Sequence, residues 1–530
     1  MQKALAEKPC HNCRRRRLKC DRAVPRCAKC AHTGQECLGY GKLFLWNRGV
    51  ASRGKMMGKD FPSPGHDVAI TMRRGDVWNS TRSYLQGPLL DPIFGDLDYT
   101  SRRYLFHFAN TLSSDMVISS AHNANPFCSL IPLAREHPIL LHAIVANAAL
   151  HISCLHQRAN GTLDLDSFQS LDSHSDPSNL STCAKIDALS SKHNALVLLR
   201  HSLTSIHSNN IDIDLIITVI HLFITFDLID MGESGWRAHV QGAIQLISRL
   251  KALEQTRRPS PLAGIRDSIM SDCLTYYILG STLLRTPTLD DPFLFSGADG
   301  TEITASLIRA EANSYLSLPT PLLQILFKAC ELSNLVSVRI STTLGAPHQP
   351  DRYASIPMTL NILLEQVRSL NIIPWAESLE CSSPARQQSR IHIALAHRAA
   401  VQIYIIRSVD GLPLDPSPYI GNTTEVLVSS IVTHLSHIGI SDPMFKATCW
   451  PTFIAGAETD NPAYRQWAVG RLREFWSLIP WGYIRTAVEV MRTSWEVGDL
   501  NGDGDGDGGM KRGRSWIQGL KALERGWLIP

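Results

Sequence analysis

From about Leu89 onward, apolar residues recur three and four positions apart, the spacing of helices that each bury one face. Pro138 suits the first position of a helix continuing through Ile139 to Leu155, where Ala143, Ala146 and Ala149 allow a close neighbour. Stripes follow at Leu189, Leu196, Leu199, Leu203 and Ile206, at Leu215, Val219, Leu222 and Phe226, and at Trp236, Val240, Ala243, Ile247 and Leu250. The segment Asp230 to Gly235 is short enough to fold the last two into an antiparallel hairpin. Further helices are predicted near 320–343, 386–408, 424–438, 461–475 and 483–497. The Ser- and Asp-rich stretch 164–182, with His174 and Pro177, reads as a flexible loop. Strand-like alternation is scarce and no fixed period emerges. The pattern therefore predicts a mainly α chain with a large all-helical domain over 89–497, not a repeat array.

Composition narrows the class. With 530 residues, 44% hydrophobic and 7% aromatic, the chain can build a sizeable core and is too apolar for disorder throughout. No uninterrupted apolar run approaches the ~20 residues that span a bilayer. The best candidate, Leu215 to Phe226, is flanked by Asp212, Asp214 and Asp227. Met1 to Pro9 carries Lys3, Glu7 and Lys8 without an apolar stretch, so a soluble intracellular protein with no membrane partner is expected. The net charge of +4 conceals an asymmetry. Residues 1–60 hold 15 Lys and Arg against 4 Asp and Glu, a net +11, and the remainder carries a net −7. A basic head on an acidic body suggests that the head meets a polyanion.

Cysteines change the picture further. Six of the 13 lie between positions 10 and 37 as Cys10-x2-Cys13-x6-Cys20 and Cys27-x2-Cys30-x6-Cys37, one motif repeated at an offset of 17. A C-x2-C pair can place two thiolates on one metal, and a cysteine six residues on can return to it after a short helical segment. Three disulfides are the competing reading, but they need an oxidising compartment and no export signal is seen. Unrelated buried thiols would not show duplicated spacing. Two tetrahedral zinc ions require eight ligand positions and six thiolates supply six, so two cysteines bridge both ions unless other residues contribute. Large apolar residues are few here (Leu18, Val24 and Leu38), so metal must supply most of the folding free energy, on the order of 10 kcal/mol.

Between Cys13 and Cys20 runs Arg14-Arg15-Arg16-Arg17-Leu18-Lys19, five cations in six positions. A short helix from Arg14 to Lys19, pinned by thiolates at both ends, would present them to phosphates and to guanine O6 and N7 in the major groove. A nuclear-import stretch, or charge balance for the thiolates, accounts for the same residues and is compatible with DNA binding. The alternative from a different class is a zinc-buffering or protein-interaction module, which has no need of cations inside a thiolate-bounded helix.

The run Cys10-His11-Asn12-Cys13-Arg14-Arg15-Arg16-Arg17-Leu18-Lys19-Cys20-Asp21, then Pro25-Arg26-Cys27-Ala28-Lys29-Cys30 and Cys37, resembles the binuclear zinc-cluster domain of fungal transcription factors. The resemblance implies two Zn2+ ions per chain, one held by Cys10, Cys13, Cys20 and Cys27, the other by Cys10, Cys27, Cys30 and Cys37. It places Arg17, and next Arg16, against the bases of a CGG-type triplet in double-stranded DNA, where family members often carry lysines. It sets Arg14, Arg15, Lys19, Arg26 and Lys29 nearer phosphates, with Pro25 shaping the loop between the halves. A nuclear regulator of RNA polymerase II genes, working with the transcription machinery or coregulators, is the function so implied. Asp91-Pro92, Asn125-Pro126-Phe127, Trp236-x2-His239-x2-Gly242-Ala243 and Trp450-Pro451-x-Phe453-Ile454-Ala455-Gly456 resemble the helical regulatory domain that follows such clusters in a subset of the family. That domain restrains or transmits activation, sometimes in response to a metabolite.

The expected organisation is a zinc-cluster domain at 8–40, a basic glycine-rich linker at 41–88, the helical domain at 89–497, and a flexible Gly/Asp tract with a tail at 498–530. Five glycines between 39 and 58 and the lack of a leucine heptad argue against a coiled coil, so a homodimer would lack that seam. Tyr40, Trp46, Arg48 and Arg53 either extend contact along the DNA backbone or belong to a surface linker. Asn501 to Gly509 looks like a calcium loop, but counted from Asp503 position 12 is Arg514 instead of Glu, which favours a spacer. The tail stripe Trp516, Ile517, Leu520, Leu523 and Trp527 is expected to dock on the helical domain. Cys128, Cys154, Cys273, Cys330 and Cys449 should fill its core, and His142, His151, His193 and His239 should be core or surface residues instead of a second metal site. No phosphate loop, nucleophile elbow, zinc-protease motif or dinucleotide fingerprint is present, so no enzyme activity is expected.

Overall fold

The structure, a computed structural model, describes residues 6, 8–24, 26–33, 37, 40, 97–118, 125–159, 180–204, 212–233, 235–254, 260–285, 297–311, 316–342, 356–379, 383–409, 420–499 and 516–530. The chain divides into two compact units, Met1–Leu89 and Leu90–Pro530. Asp91-Pro92, the 41–88 linker, Ile206 and the 501–509 tract lie outside the described residues, as does 164–179 of the expected loop. The last three residues of that loop, 180–182, already belong to a helix.

The first unit contains α1 (His11–Arg15) and α2 (Ala28–His32). In the second unit no β-strand occurs among the described residues, and an isolated bridge joins Glu233 to Trp527. Its helices begin with α3 (Tyr99–His107), α4 (Ser113–Asp115) and α5 (Leu130–Ala134). Helix α6 (Pro138–Ala159) starts at the predicted proline and packs along α7 (Leu180–Thr204). The next two, α8 (Ile213–Asp230) and α9 (Trp236–Glu254), pack together as the predicted hairpin. Then come α10 (Arg266–Ser281), α11 (Gly297–Ala310), α12 (Thr320–Thr342), α13 (Ile356–Ser369) and α14 (Ile372–Ser378). The long α15 (Pro384–Ser408) touches most of the later helices, namely α16 (Ile420–Ser436), α17 (Cys449–Glu458) and α20 (Trp516–Ala522), with α18 (Pro462–Leu478) and α19 (Gly482–Asp499) alongside.

Side-chain chemistry explains the placement. Asp212 caps α8 by accepting from the Asp214 and Leu215 N–H groups, and the apolar content that follows is buried on nearly every side. Helix α6 is long and apolar enough to cross a membrane, but 78% of that window is buried among its neighbours, as befits a core helix. Its Ala143, Ala146 and Ala149 are all fully buried.

Helix α7 departs from expectation. Leu189 is 52% exposed and Leu196 and Leu203 also face solvent, while Ser181, Ala184, Ala188, Ala195 and Leu199 are buried. Small side chains let α7 lie close to α6, and Ser153 Oγ donates to the Ser181 carbonyl at 2.9 Å between them. Cys154, Cys273, Cys330 and Cys449 are in the core as expected, whereas Cys128 is only partly buried.

The C-terminal tail is part of the core. Trp516, Ile517, Leu520, Trp527, Leu528 and Ile529 are buried. Gln518 Nε2 donates to the Ser408 carbonyl, and Lys521 Nζ donates to Ser333 Oγ at 2.8 Å and Asn334 Oδ1 at 2.9 Å. Trp236, from the hairpin motif, donates through Nε1 to the Gly526 carbonyl at 2.8 Å. Its ring lies over Gly280 of α10, where a Cβ would strike the indole.

Candidate metal centre

Each half of the cysteine repeat builds the same local structure. Cys10 and Cys27 stand in extended backbone as the N-caps of α1 and α2, and their sulfurs accept from the N–H groups of Cys13 and Cys30 at 3.4 and 3.3 Å. These caps turn both sulfurs towards one another, and Cys10 Sγ lies 3.6 Å from Cys27 Sγ. Cys10 to Cys30 is 3.8 Å and Cys13 to Cys27 is 3.7 Å. The six sulfurs fall into two groups, Cys10, Cys13, Cys20 and Cys27, and Cys10, Cys27, Cys30 and Cys37, each with all four atoms within 4.8 Å of one another. Both groups contain Cys10 and Cys27. Tetrahedral zinc with ~2.3 Å bonds to sulfur sets its ligand atoms about 3.8 Å apart, so the donors and their spacing fit zinc.

Electrostatics agree with that fit. Burial pushes the Cys10 thiol up to about 12 and raises Cys13 and Cys27 as well, because a thiolate taken out of water loses its hydration. Burial acts on Cys20 too, but the N–H groups of Cys10 and Arg22 and the neighbouring Cys27 outweigh it and bring Cys20 down to about 7. A divalent cation would invert this balance for the whole set. Among the described residues no histidine or carboxylate joins a group with metal-ligand geometry.

The cations around the sulfurs are displayed differently from the expected Arg14–Lys19 helix. Helix α1 ends at Arg15, and Arg17 takes a positive φ of 55°. The Leu18 N–H bonds to the Cys13 carbonyl and the Arg17 N–H to the Arg14 carbonyl, the paired bonds of a Schellman stop. A helix continued to Lys19 would carry the chain away from the cluster, whereas the stop lets Cys20 return to it. Arg14, Arg16, Arg17, Lys19, Arg26 and Lys29 are exposed, and the Arg15 side chain lies outside the described set.

Two residues take roles that the sequence reading did not give them. Asp21 accepts from the Ala28 N–H at 3.1 Å, tying the third cysteine's strand of chain to the start of α2; this bond holds its carboxyl below the usual range. Tyr40 packs against the sulfur cluster and donates its hydroxyl to the Ala23 carbonyl at 2.7 Å, so it is a lid on the cluster. Trp46, Arg48 and Arg53, grouped with it by sequence, lie outside the described residues.

Residues 8–46 match the fungal Zn(2)-Cys(6) binuclear cluster domain, and residues 103–528 match the fungal specific transcription factor domain. The second match covers most of the chain. The chain belongs to the fungal zinc-cluster transcription factors. As a member it binds zinc and DNA through its head and carries the helical regulatory domain behind it. It is 29% identical to the acriflavine sensitivity control protein acr-2 of Neurospora crassa, across all of this chain and 98% of that protein. No solved structure matches it significantly. In this zinc-cluster factor the described motifs behind the helical resemblance contribute core contacts. Asn125 accepts from the Phe127 N–H, Phe127 is buried, and Gly456 leaves room for Met491 and Ala468.

Proposed function

We propose that this zinc-cluster factor is a nuclear regulator of RNA polymerase II genes that reads CGG-type triplets. The reading rests on the two four-sulfur groups that share Cys10 and Cys27. Cys10, Cys13, Cys20 and Cys27 would hold one zinc ion, and Cys10, Cys27, Cys30 and Cys37 a second, each thiolate binding as the deprotonated ligand. Zinc here supplies folding free energy and cancels thiolate charge. Arg17 at the turn after α1 reaches the base edges, with Arg16 beside it, because a guanidinium pairs in bidentate fashion with guanine O6 and N7. Arg14, Arg15, Lys19, Arg26 and Lys29 contact phosphates and fix the register without reading sequence. The head covers 8–40, residues 41–88 link it to the body, and the helical body beyond tunes activation through coregulators.

Selection of bound sites from a random DNA pool by the full-length zinc-loaded protein tests this. Enrichment of a CGG triplet supports it, and two triplets at fixed spacing would add a homodimer. Recovery of a pool no different from the input, with binding that depends only on salt, overturns base reading.

A further inference from the structure

The sulfurs of the metal centre are not equally covered. Cys10 and Cys27, which both four-sulfur groups share, are fully buried, and Cys13 and Cys30 nearly so. Cys20 and Cys37 are only partly buried. Each group thus has one partly open ligand, Cys20 in the first and Cys37 in the second. Zinc leaves a thiolate site most readily by exchange, because the ion can take a fifth ligand as an incoming donor bonds to it. A thiolate then departs and takes a proton from water. Cys20 and Cys37 are where such a donor can approach.

Tyr40 closes the same side. It lies three residues beyond Cys37, packs against the buried sulfurs, and donates its hydroxyl to the Ala23 carbonyl at 2.7 Å. Ala23 lies three residues beyond Cys20, so one bond ties together the two segments of chain that leave the open ligands. Burial raises the Tyr40 hydroxyl, and the charges of Cys20, Cys27, Cys37 and Cys10 add to the rise, so it stands near both open sulfurs and both shared ones. The segment that accepts the bond is braced. Next to Ala23, the Arg22 carbonyl accepts from the Ala6 N–H at 2.9 Å, and Asp21 accepts from the Ala28 N–H. A ring held to a fixed segment by one side-chain bond can swing aside without dismantling the cluster.

We propose that Tyr40 is a gate on zinc exchange, which bars soluble zinc acceptors from Cys20 and Cys37 while its bond to Ala23 is made and admits them when it breaks. The inference rests on the zinc reading of the centre. The molecules excluded are polydentate chelators and free thiols, whose donors must reach the ion to displace a cysteine. Tyr40 itself is no ligand. The head therefore keeps its metal through slow attack as well as through affinity, and the rate of loss is set outside the six cysteines.

The test follows zinc transfer from the full-length protein to excess 4-(2-pyridylazo)resorcinol by absorbance, after elemental analysis has counted the bound zinc. A gate makes the wild-type rate rise with chelator and then level off at the rate of opening. Tyr40→Phe keeps the ring but loses the bond to Ala23, and should raise that plateau about fivefold. Tyr40→Ala should exceed the wild-type plateau about tenfold or more and keep climbing with chelator. If Tyr40→Ala does not retain zinc, the plateau of Tyr40→Phe decides. A wild-type rate that never levels off, or a Tyr40→Phe plateau equal to that of the wild type, overturns the gate. So does a rate independent of chelator in wild type and variants alike, which would make Tyr40 a stabiliser of the fold only. Wild-type protein purified without zinc would instead sink the reading of the centre, and the gate with it.

Discussion

Arg17 sits where a helix stop ordinarily takes glycine, because the left-handed conformation crowds a Cβ at a cost of about 1–2 kcal/mol. That an arginine occupies it fits a side chain retained for what it reaches. Arg17→Gly should therefore make the zinc-loaded head about 1 kcal/mol more resistant to urea while flattening its preference among DNA sequences. Arg14→Ala should weaken all duplexes alike and lower the salt slope, which titrations on a selected and a scrambled site at two salt concentrations would separate. If Arg17→Gly keeps full discrimination, the base contact lies elsewhere. At this scale the sequence was most legible in the cysteines, because ligand spacing is a local covalent constraint. Asp21 and Tyr40 were not legible, since their partners, the Ala28 N–H and the Ala23 carbonyl, are backbone groups that carry no side-chain signature.

Among the elements, helix existence followed from periodicity but helix orientation did not always. In α7 two faces compete, one carrying Leu189, Leu196 and Leu203 and one carrying Ser181, Ala184, Ala188 and Ala195, and Leu199 of the expected stripe falls on the second. The periodic argument favours the larger side chains, but close approach to α6 selects the smaller ones. Ala188→Leu should accordingly destabilise by about 1–3 kcal/mol through overpacking. Leu189→Ser should stay within about 0.5 kcal/mol, as judged by chemical denaturation. The reverse ranking would mean that α7 packs through its leucine face. The hairpin of α8 and α9 was predicted correctly because Trp236, Val240, Ala243 and Ile247 have no small-residue stripe to rival them, and all four are buried.

For the whole molecule, two units imply two separable stabilities. A strong chelator should abolish DNA binding while leaving helical circular dichroism nearly intact, because the helices lie overwhelmingly in Leu90–Pro530. Loss of both together would contradict that division. The helical unit carries its own pH signature at Lys521, which burial, reinforced by Arg285, lowers from the ordinary 10.5 to about 8. Between those values the unfolded chain holds the proton more firmly than the folded one, so stability rises with pH across that window. Below about 8 the penalty is present in full. Lys521→Met should remove a cost on the order of 3 kcal/mol, less what the bonds to Ser333 and Asn334 contribute, and flatten the rise between pH 8 and 10 in urea titrations.

The buried tail also orders events during synthesis. Residues 10–40 leave the ribosome early and can close around metal as soon as they are free, whereas the slot framed by Gly232, Ser333 and Ser408 stays vacant until Trp516 to Ile529 have been translated. A nascent chain thus owns a finished DNA reader long before its body is sealed. Any interruption of translation upstream of Trp516 would release a protein able to bind DNA but with an open, aggregation-prone flank, a burden that falls on the cell's chaperones.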